Sequence, residues 1–306
     1  MTALIVGDVI DDIVVRPSSR FVPDSDTISR ITHAPGGSAA NQAAWLAYLG
    51  APVRFVARVG AADIERHRAA LETVGVQAIL IPDDEAPTGT IVVVLGQGGQ
   101  RHMYTDRGAN TRLRASDLPL SLLDGVELLH VNGYALFSDD ARLAMLRLID
   151  ESRRRGIQIT VDPCSAALLP AAKQFVEWTA GAAVCFPNGD EAVVMTECAD
   201  PVAAAQALTA HYPVVVLKLG RDGVVVARRD EAPERLPAAI DVVRSTSGAG
   251  VIRDTTGAGD ALCAGFLAAW RRGFDAAAAA TAGLRVAGIA VSSAGGRPPS
   301  GRSAVR

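Results

Sequence analysis

The 306-residue chain has little lysine, few aromatic residues and no paired cysteines. Lys173 and Lys218 are its only lysines, the formal net charge is −3 and no long basic run appears, which argues against a protein that binds nucleic acid through its phosphates. The four cysteines lie far apart without a CxxC pair. Neither a zinc site nor a disulfide framework is therefore indicated, and a reducing cytoplasm fits best.

Signals for export, membrane insertion and one class of phosphate loop are also missing. The N-terminus has no basic leader, and the apolar stretch 274–291 is interrupted by Arg285, so we expect no signal peptide and no membrane span. The pattern GxxxxGK[ST] is absent, which excludes a P-loop kinase. By contrast, 49% of the residues are hydrophobic, enough for a proper core in one large α/β domain or two small ones.

Short β-rich segments alternate with helical patterns along most of the chain, which predicts an α/β fold with a mainly parallel sheet and crossover helices. The strand candidates are 3–6, 53–56, 77–81, 126–131, 157–161, 182–185 and 214–217. The helix candidates are 38–49, 64–73, 139–155, 200–210, 257–271 and 275–292.

Two segments, about 13–34 and 88–107, break this alternation. Polar and apolar residues alternate in them and are punctuated by Pro or Gly, which predicts antiparallel strands that project from the main sheet as a small lid. A small sheet leaves open edges or faces that a second copy of the chain can cover. A homodimer through the lid is therefore one hypothesis.

The densest chemical motif is DTTGAGD, residues 254–260, followed at once by a helical pattern. Gly257, Ala258 and Gly259 would expose backbone N–H groups at a helix start, which favours an anion. Asp260 could take the proton of an attacking hydroxyl while the nearby amides stabilise a transferring phosphoryl group. Considered alone, the motif could equally be an ordinary Asp cap beside a tight glycine turn.

A second glycine pair, Gly36 and Gly37, precedes a helical pattern that carries Asn41 and ends near Gly50. Backbone amides and small side chains at a helix start allow a ligand to approach closely. A Gly-Gly turn with Ser38 as the N-cap would explain the same residues without any ligand.

Six motifs occur in order along nearly the whole chain: Val6 to Asp8 with Asp12, Gly36 to Asn41, Arg107 to Asn110, Asn188 to Glu191, Lys218 to Gly223, and Asp254 to Asp260. Together they resemble the motifs of the ribokinase-like, or PfkB, family of carbohydrate and nucleoside kinases. The resemblance implies one domain over residues 1–306, a three-layer α/β/α arrangement with a β-rich lid.

On the acceptor side, the resemblance implies that Asp12 and Asn41 hydrogen-bond sugar hydroxyls, while Gly36 and Gly37 let the sugar lie against the backbone. A carboxylate and an amide suit a polyol because they accept from and donate to neighbouring hydroxyls. Arg107, in the lid, could instead favour an acidic or phosphorylated substrate.

On the nucleotide side, the resemblance implies ATP with Mg²⁺. Asn188 and Glu191 match the element that organises Mg²⁺ and its waters, a role that suits a hard oxygen ligand. Lys218, Gly220 and Gly223 match a turn that contacts the nucleotide through its backbone.

A monovalent cation, K⁺, is a further implied ligand, held by a loop to which Asp254 and Thr256 contribute. Two departures from the family pattern bear on these ligands. Cys164 follows Asp162-Pro163 where the family often has Asn, which questions a phosphate contact from that loop, and Pro298-Pro299 could alter the cation loop.

These observations predict an ATP-dependent kinase that transfers the γ-phosphoryl group to a sugar hydroxyl, with Asp260 as the base. A nucleoside kinase of the same family is the first alternative, although an aromatic content of 5% offers few rings to hold a base. A non-catalytic regulator that binds a sugar or nucleotide is the second.

Overall fold

Thirteen strands form two sheets in the computed structural model, which describes residues 2–20, 22–96, 101–169, 172–239, 254–293 and 295–299. The strands are β1 (Thr2–Val6), β2 (Ile10–Pro17), β3 (Ser29–Gly36), β4 (Val53–Gly60), β5 (Val76–Asp83), β6 (Gly89–Leu95), β7 (Arg101–Asp106), β8 (Val126–Asn132), β9 (Gln158–Asp162), β10 (Val184–Cys185), β11 (Val214–Lys218), β12 (Val224–Arg228) and β13 (Glu234–Leu236).

The main sheet has nine strands in the order β13-β12-β11-β10-β9-β8-β1-β4-β5. Neighbours from β11 to β5 are parallel, whereas β12 and β13 are antiparallel additions at one edge. This confirms the predicted α/β fold with a mainly parallel sheet, because parallel strands need helical crossovers that cover both faces.

The lid is a separate four-stranded sheet in the order β3-β2-β6-β7, which confirms the small β-rich lid. Residues 21 and 97–100 of the predicted lid lie outside the described residues. One detail was wrong: β2 and β6 pair in parallel, although β2–β3 and β6–β7 are antiparallel as expected. Between β3 and β6 the chain forms β4 and β5 of the main sheet. It then returns to the lid, so that β6 can run in the same direction as β2.

Eight helices are described: α1 (Ser38–Tyr48), α2 (Ile64–Glu72), α3 (Asp139–Arg154), α4 (Ala172–Thr179), α5 (Gly189–Thr196), α6 (Pro201–Leu208), α7 (Ala258–Trp270) and α8 (Ala276–Val291). Local signals fix several of their starts. Asp200 and Asp275 accept hydrogen bonds from the N3 amides of α6 and α8, which satisfies N–H groups that have no partner inside a helix. No helix within the described ranges is long and apolar enough to cross a membrane.

Two apolar cores lie on opposite faces of the main sheet. One contains Trp45, Phe55 and Phe266 and joins α1, α7 and α8 to the sheet; the other contains Met145 and Tyr212 and joins α3 to α6 to the opposite face. The sheet is thus held rigidly between two helical layers. Its carboxyl edge is a firm platform for polar side chains.

Candidate active site

A cavity of about 280 Å³ lies between the lid and the carboxyl edge of the main sheet. Its walls include seven residues that the sequence singled out, namely Asp12, Gly37, Asn41, Arg107, Thr256, Gly257 and Asp260. Asp8, Ser38 and Tyr134 also line it, and the lid adds the apolar side chains Ile91, Val93 and Met103. Motifs that are far apart in the sequence therefore meet in one cleft.

Asp260 lies in the first turn of α7 with both carboxylate oxygens hydrogen-bonded. Ser38 Oγ donates to Oδ1 at 2.7 Å, and Asn41 Nδ2 donates to Oδ2 at 3.0 Å. Burial raises the pKa of Asp260 to about 7, and the two hydrogen bonds act in the opposite direction. The carboxylate is held in one orientation, and its pKa lies near neutral pH.

The glycines before Asp260 allow a tight approach between two segments. Gly257, the N-cap of α7, has φ of +72°, a conformation that side chains other than glycine rarely adopt. A Cβ on Gly257 would also come within 2.5 Å of Gly296 Cα. The turn is thereby packed against the segment 295–297, and the start of α7 lies at the cleft, with the Ala258 N–H donating to Thr255 O at 3.4 Å and the N–H groups of Gly259 and Asp260 without an acceptor inside the helix.

Four buried polar residues behind Asp260 form a network that the sequence analysis missed. Asn132 Nδ2 donates to Ser38 Oγ at 3.0 Å, and Gln42 Nε2 donates to Asp162 Oδ2 at 2.7 Å. His130 Nε2 lies 3.0 Å from Gln42 Oε1. Because the Gln42 amide donates through Nε2, its Oε1 must accept, so His130 carries its proton on Nε2.

Burial lowers the pKa of His130 to about 4, so this imidazole is neutral at physiological pH. Its Nδ1 then accepts from Thr160 Oγ1, which lies 2.8 Å away. The signal for this network was present in the sequence. Asn132 and Asp162 end neighbouring parallel strands, and Gln42 immediately follows Asn41.

Lys218, at the end of β11, is paired with Asp162 at 2.9 and 3.1 Å. Burial alone would lower the pKa of Lys218, but Asp162 and the acids around it raise the pKa above its usual range, so the ammonium stays charged. A Cβ on Gly259 would lie 3.6 Å from Lys218 Cδ and 3.9 Å from Nζ. A fixed cation therefore lies beside the first turn of α7.

Asp12 faces the other side of the cavity. Its side chain is buried, and burial together with the charge of Asp8 raises the pKa of Asp12 to about 7. A Cβ on Gly36 would lie 2.2 Å from Asp12 Oδ2, so glycine is required there to leave room for the carboxylate. Gly37 has φ of +92°, and a Cβ there would contact Asp8 O at 2.6 Å.

Arg107 does line the cavity, but its charge is already engaged. Its Nη2 donates to Asp8 Oδ2 at 3.2 Å, and its guanidinium carbon lies 3.8 Å from the centroid of the Tyr134 ring. Asp8 in turn accepts from the backbone N–H of Ala39 at 3.0 Å. The arginine thus connects the lid to the platform.

Asn188 and Glu191 lie outside this cavity, at the start of α5. Asn188 Oδ1 accepts from the Glu191 N–H at 2.9 Å, and Glu191 Oε2 accepts from the Asn188 N–H at 2.8 Å. Glu191 is buried, and its burial raises its pKa to about 7 while Lys218 lowers it. Glu191 is therefore not a solvent-exposed acid of the first helical turn.

Gly220 and Gly223 form the turn between β11 and β12 and also lie outside the cavity. A Cβ on Gly223 would come within 2.0 Å of Leu236 O, so close packing against β13 is by itself sufficient reason for that glycine. Gly220 is exposed and has φ of +58°, which places its backbone at the surface of the turn.

Asp254 links the two ends of the loop in which a cation was expected. Its Oδ1 accepts from the Thr256 N–H at 2.9 Å, and its Oδ2 accepts from the Gly295 N–H at 3.1 Å. The carboxylate thereby holds the backbone at Thr256 and the backbone at Gly295 together. Among the described residues, no group of three or more His, Cys, Asp or Glu could itself hold a metal ion.

Comparison with known proteins decides the family. The sequence matches the description "pfkB family carbohydrate kinase" over residues 2–250 and 251–301. The chain belongs to this family. It is therefore a kinase that transfers a phosphoryl group to an alcohol acceptor, a sugar or a nucleoside.

Individual relatives of this pfkB-family kinase differ in what they act on. A fructokinase from Klebsiella pneumoniae is 28% identical over 279 residues, which cover 86% of this chain and 82% of that protein. An adenosine kinase from Sinorhizobium meliloti is 23% identical with a TM-score of 0.84, covering 97% and 95% of the two chains. A ribokinase from Giardia lamblia is 19% identical with a TM-score of 0.80, covering 96% and 95%. These two structures support the fold.

Proposed function

We propose that this kinase uses ATP to phosphorylate a hydroxyl of a neutral sugar, with Asp260 as the general base. The observation that carries the proposal is the Asp260 carboxylate itself. It opens on the cavity from the first turn of α7, both its oxygens are oriented by hydrogen bonds, and its pKa is raised to about 7. A base works best when its pKa lies near the operating pH.

The chain's own residues then divide the work of phosphoryl transfer. Asp260 takes the proton of the acceptor hydroxyl, and the amides that begin α7 stabilise the negative charge of the moving phosphoryl group. Lys218 adds a permanent cation beside those amides, held there by Asp162. The lid over the cleft excludes water, which would otherwise compete as acceptor.

Residues of this chain also suit the nucleotide and its metal. The exposed turn at Gly220 follows the carboxyl end of β11, and Lys218 at that end lies beside Gly259 of α7, a combination that favours phosphate groups. Glu191, with Asn188, would hold Mg²⁺ through waters, and Mg²⁺ would neutralise phosphate charge. The Asp254 loop, including Thr256, would hold K⁺ through backbone oxygens.

The charges that line the cavity favour a neutral polyol over an acidic acceptor. Asp8, Asp12 and Asp260 are all present there, and Arg107 is committed to Asp8 and Tyr134. A phosphorylated or carboxylated acceptor would bring a further anion close to these acids, at a substantial electrostatic cost. Asp12 and Asn41 instead offer acceptor and donor atoms that match neighbouring hydroxyls.

A nucleoside is the second candidate acceptor, and one observation favours it. Ile91, Val93 and Met103 of the lid, together with Tyr134, give the cavity an apolar wall. Such a wall could cover the base of a nucleoside while the polar platform holds its ribose. The adenosine kinase that shares the fold makes this alternative concrete, whereas the fructokinase relative supports a sugar.

The test is a screen for ATP turnover across pentoses, hexoses, nucleosides and their phosphates, with D260N as the matched control. We expect turnover with a neutral sugar that the variant loses. Turnover confined to nucleosides would show that the acceptor is a nucleoside and not a free sugar. Ligand binding without turnover by any acceptor would contradict the kinase proposal and favour a regulator.

We also propose that the chain works as one domain and pairs with a second copy through the lid. The edge strands β3 and β7 of the lid carry apolar side chains that are more than half exposed on the face away from the cavity, namely Ile31 and Tyr104. Covering them would remove apolar surface from water and protect the open edges. Light scattering of the purified chain should give a dimer mass, and I31K should reduce that mass to a monomer.

A further inference from the structure

Arg297 is a charged residue beside the cleft that has no part in the proposed phosphoryl transfer. It lies just after Gly296 and directs its donors toward α1 and the end of β3. Nε donates to Asn41 Oδ1 at 3.3 Å, and Nη2 donates to the carbonyl of Gly36 at 3.2 Å. Its third nitrogen, Nη1, is buried and has no hydrogen-bond partner within the described part of the chain.

Such a placement is costly for stability. A buried donor without a partner costs about 1–3 kcal/mol, and burial lowers the pKa of the Arg297 guanidinium to about 10. A neutral side chain of similar length would avoid both penalties. The presence of a guanidinium at this position is therefore better explained by its hydrogen bonds to Asn41 and Gly36 than by its contribution to packing.

Its effect on Asn41 follows from hydrogen-bond chemistry alone. A guanidinium can only donate, and an ionised carboxylate can only accept. The Asn41 amide lies between Arg297 and Asp260, with contacts of 3.3 and 3.0 Å. Only one orientation satisfies both neighbours: the amide oxygen faces Arg297, and the amide nitrogen faces Asp260.

Charge reinforces this arrangement. The groups that face Asp260 are Asp162 from β9, which raises its pKa, and Lys218 from β11, which lowers it. Cys263 lies on α7 itself and is buried. Arg297 interacts electrostatically with Asp260 and more strongly with Asp12, Asp8 and Asp11, and it lowers the pKa of Asp12. Lys218 is paired with Asp162 and Arg107 with Asp8, so Arg297 is a further cation near the acids of the cleft.

We propose that Arg297 is a positioning residue for the base: through the Asn41 amide it fixes the orientation of the Asp260 carboxylate and keeps it an anion. The inference rests on the proposed function, since it assigns Asp260 as the base. It also predicts a property of the free protein, the ionisation of Asp260, which can be measured without turnover.

The test compares R297M, R297Q and R297K with the wild type across pH 5.5–9.5. Both neutral variants should shift the acidic limb of kcat/KM upward by roughly one pH unit. If the acidic limb of the wild type has an apparent pKa near 7, that shift predicts about five-fold lower kcat/KM at pH 7. The kcat/KM of the variants should approach that of the wild type above about pH 9. R297K keeps the charge, so its limb should stay at the wild-type position even if its plateau falls. R147M, an exposed substitution on α3, is the control.

A limb in R297M that coincides with that of the wild type, or a uniform loss at every pH, would overturn the proposal. If R297M does not fold, R297Q carries the test, because it keeps an amide donor but loses the charge. Carboxyl NMR titration of Asp260, assigned with D260N, should show the same upward shift even if no acceptor has been found. An unshifted titration beside an active wild type and an inactive D260N would contradict this inference and leave the proposed function intact.

Discussion

Replacement of Gly36 by alanine tests whether the Asp12 carboxylate binds the acceptor. The new Cβ would lie 2.2 Å from Asp12 Oδ2, 2.6 Å from Cγ and 2.9 Å from Oδ1, so the carboxylate must move away. The backbone itself has no positive φ at this position, and alanine is therefore compatible with the strand. The substitution should displace one functional group and leave the fold in place.

The size of the effect follows from the hydrogen bonds that Asp12 would lose. A hydrogen bond to a charged group is worth about 1.5–3 kcal/mol, and 1.4 kcal/mol corresponds to a factor of ten. G36A should therefore raise the KM and the Kd for the acceptor about 10- to 150-fold, while the KM for ATP changes little. S29A, at the far end of the same strand, is the matched control.

Steady-state kinetics with each substrate varied in turn, and calorimetry with the acceptor alone, measure these constants. Unchanged acceptor binding in G36A would refute the role of Asp12 in holding the acceptor. An equal rise in KM for both substrates would show instead that the substitution distorts the cleft as a whole.

Two further predictions concern buried charges. K218M leaves Asp162 without its cation and should cost about 3–5 kcal/mol of unfolding free energy; adding D162N should restore the melting temperature but not the affinity for ATP. Asp12 has a folded pKa of about 7, above its ordinary value of 3.8, so its unfolded form releases a proton first as pH rises. As pH rises from about 4 to 7, the unfolding free energy of the wild type should therefore fall relative to that of D12N. Parallel melting curves across that range would contradict this ionisation of Asp12.

Much of the fold could be predicted from the sequence because its signals are local. The apolar strands have the β-rich composition, and the helices α1, α2, α3 and α7 the periodicity and the terminal glycines, that short-range rules recognise. α5 was missed because it has only eight residues, two of them adjacent valines. β12 and β13 were missed because β12 depends on pairing with β11, and β13 on pairing with β12, which no local pattern reveals.

The site was predicted through its motifs, and what was missed is what the motifs contact. Asp260, Asn41 and Asp12 stand in recognisable patterns, whereas Arg297 has no pattern of its own, and Asp162 was noted only because Cys164 follows it where the family often has Asn. The role of Asp162 is visible only in the folded sheet, where β9 and β11, separated by β10, bring Asp162 to Lys218. The role of Arg297 is visible only in the folded protein, where the segment that contains it packs against the start of α1, more than 250 residues earlier in the chain. Such contacts come from tertiary packing.

Whether Asp260 is the base can be measured from the turnover of D260N at saturating concentrations of both substrates. The variant can keep the local network, because the oxygen of the new amide can accept from Asn41 while its nitrogen donates to Ser38 Oγ. Melting temperature and acceptor Kd should therefore stay close to those of the wild type. We predict that kcat falls by roughly 100-fold or more. A D260N variant that binds the acceptor normally and keeps near-normal kcat would contradict the role of Asp260 as the base.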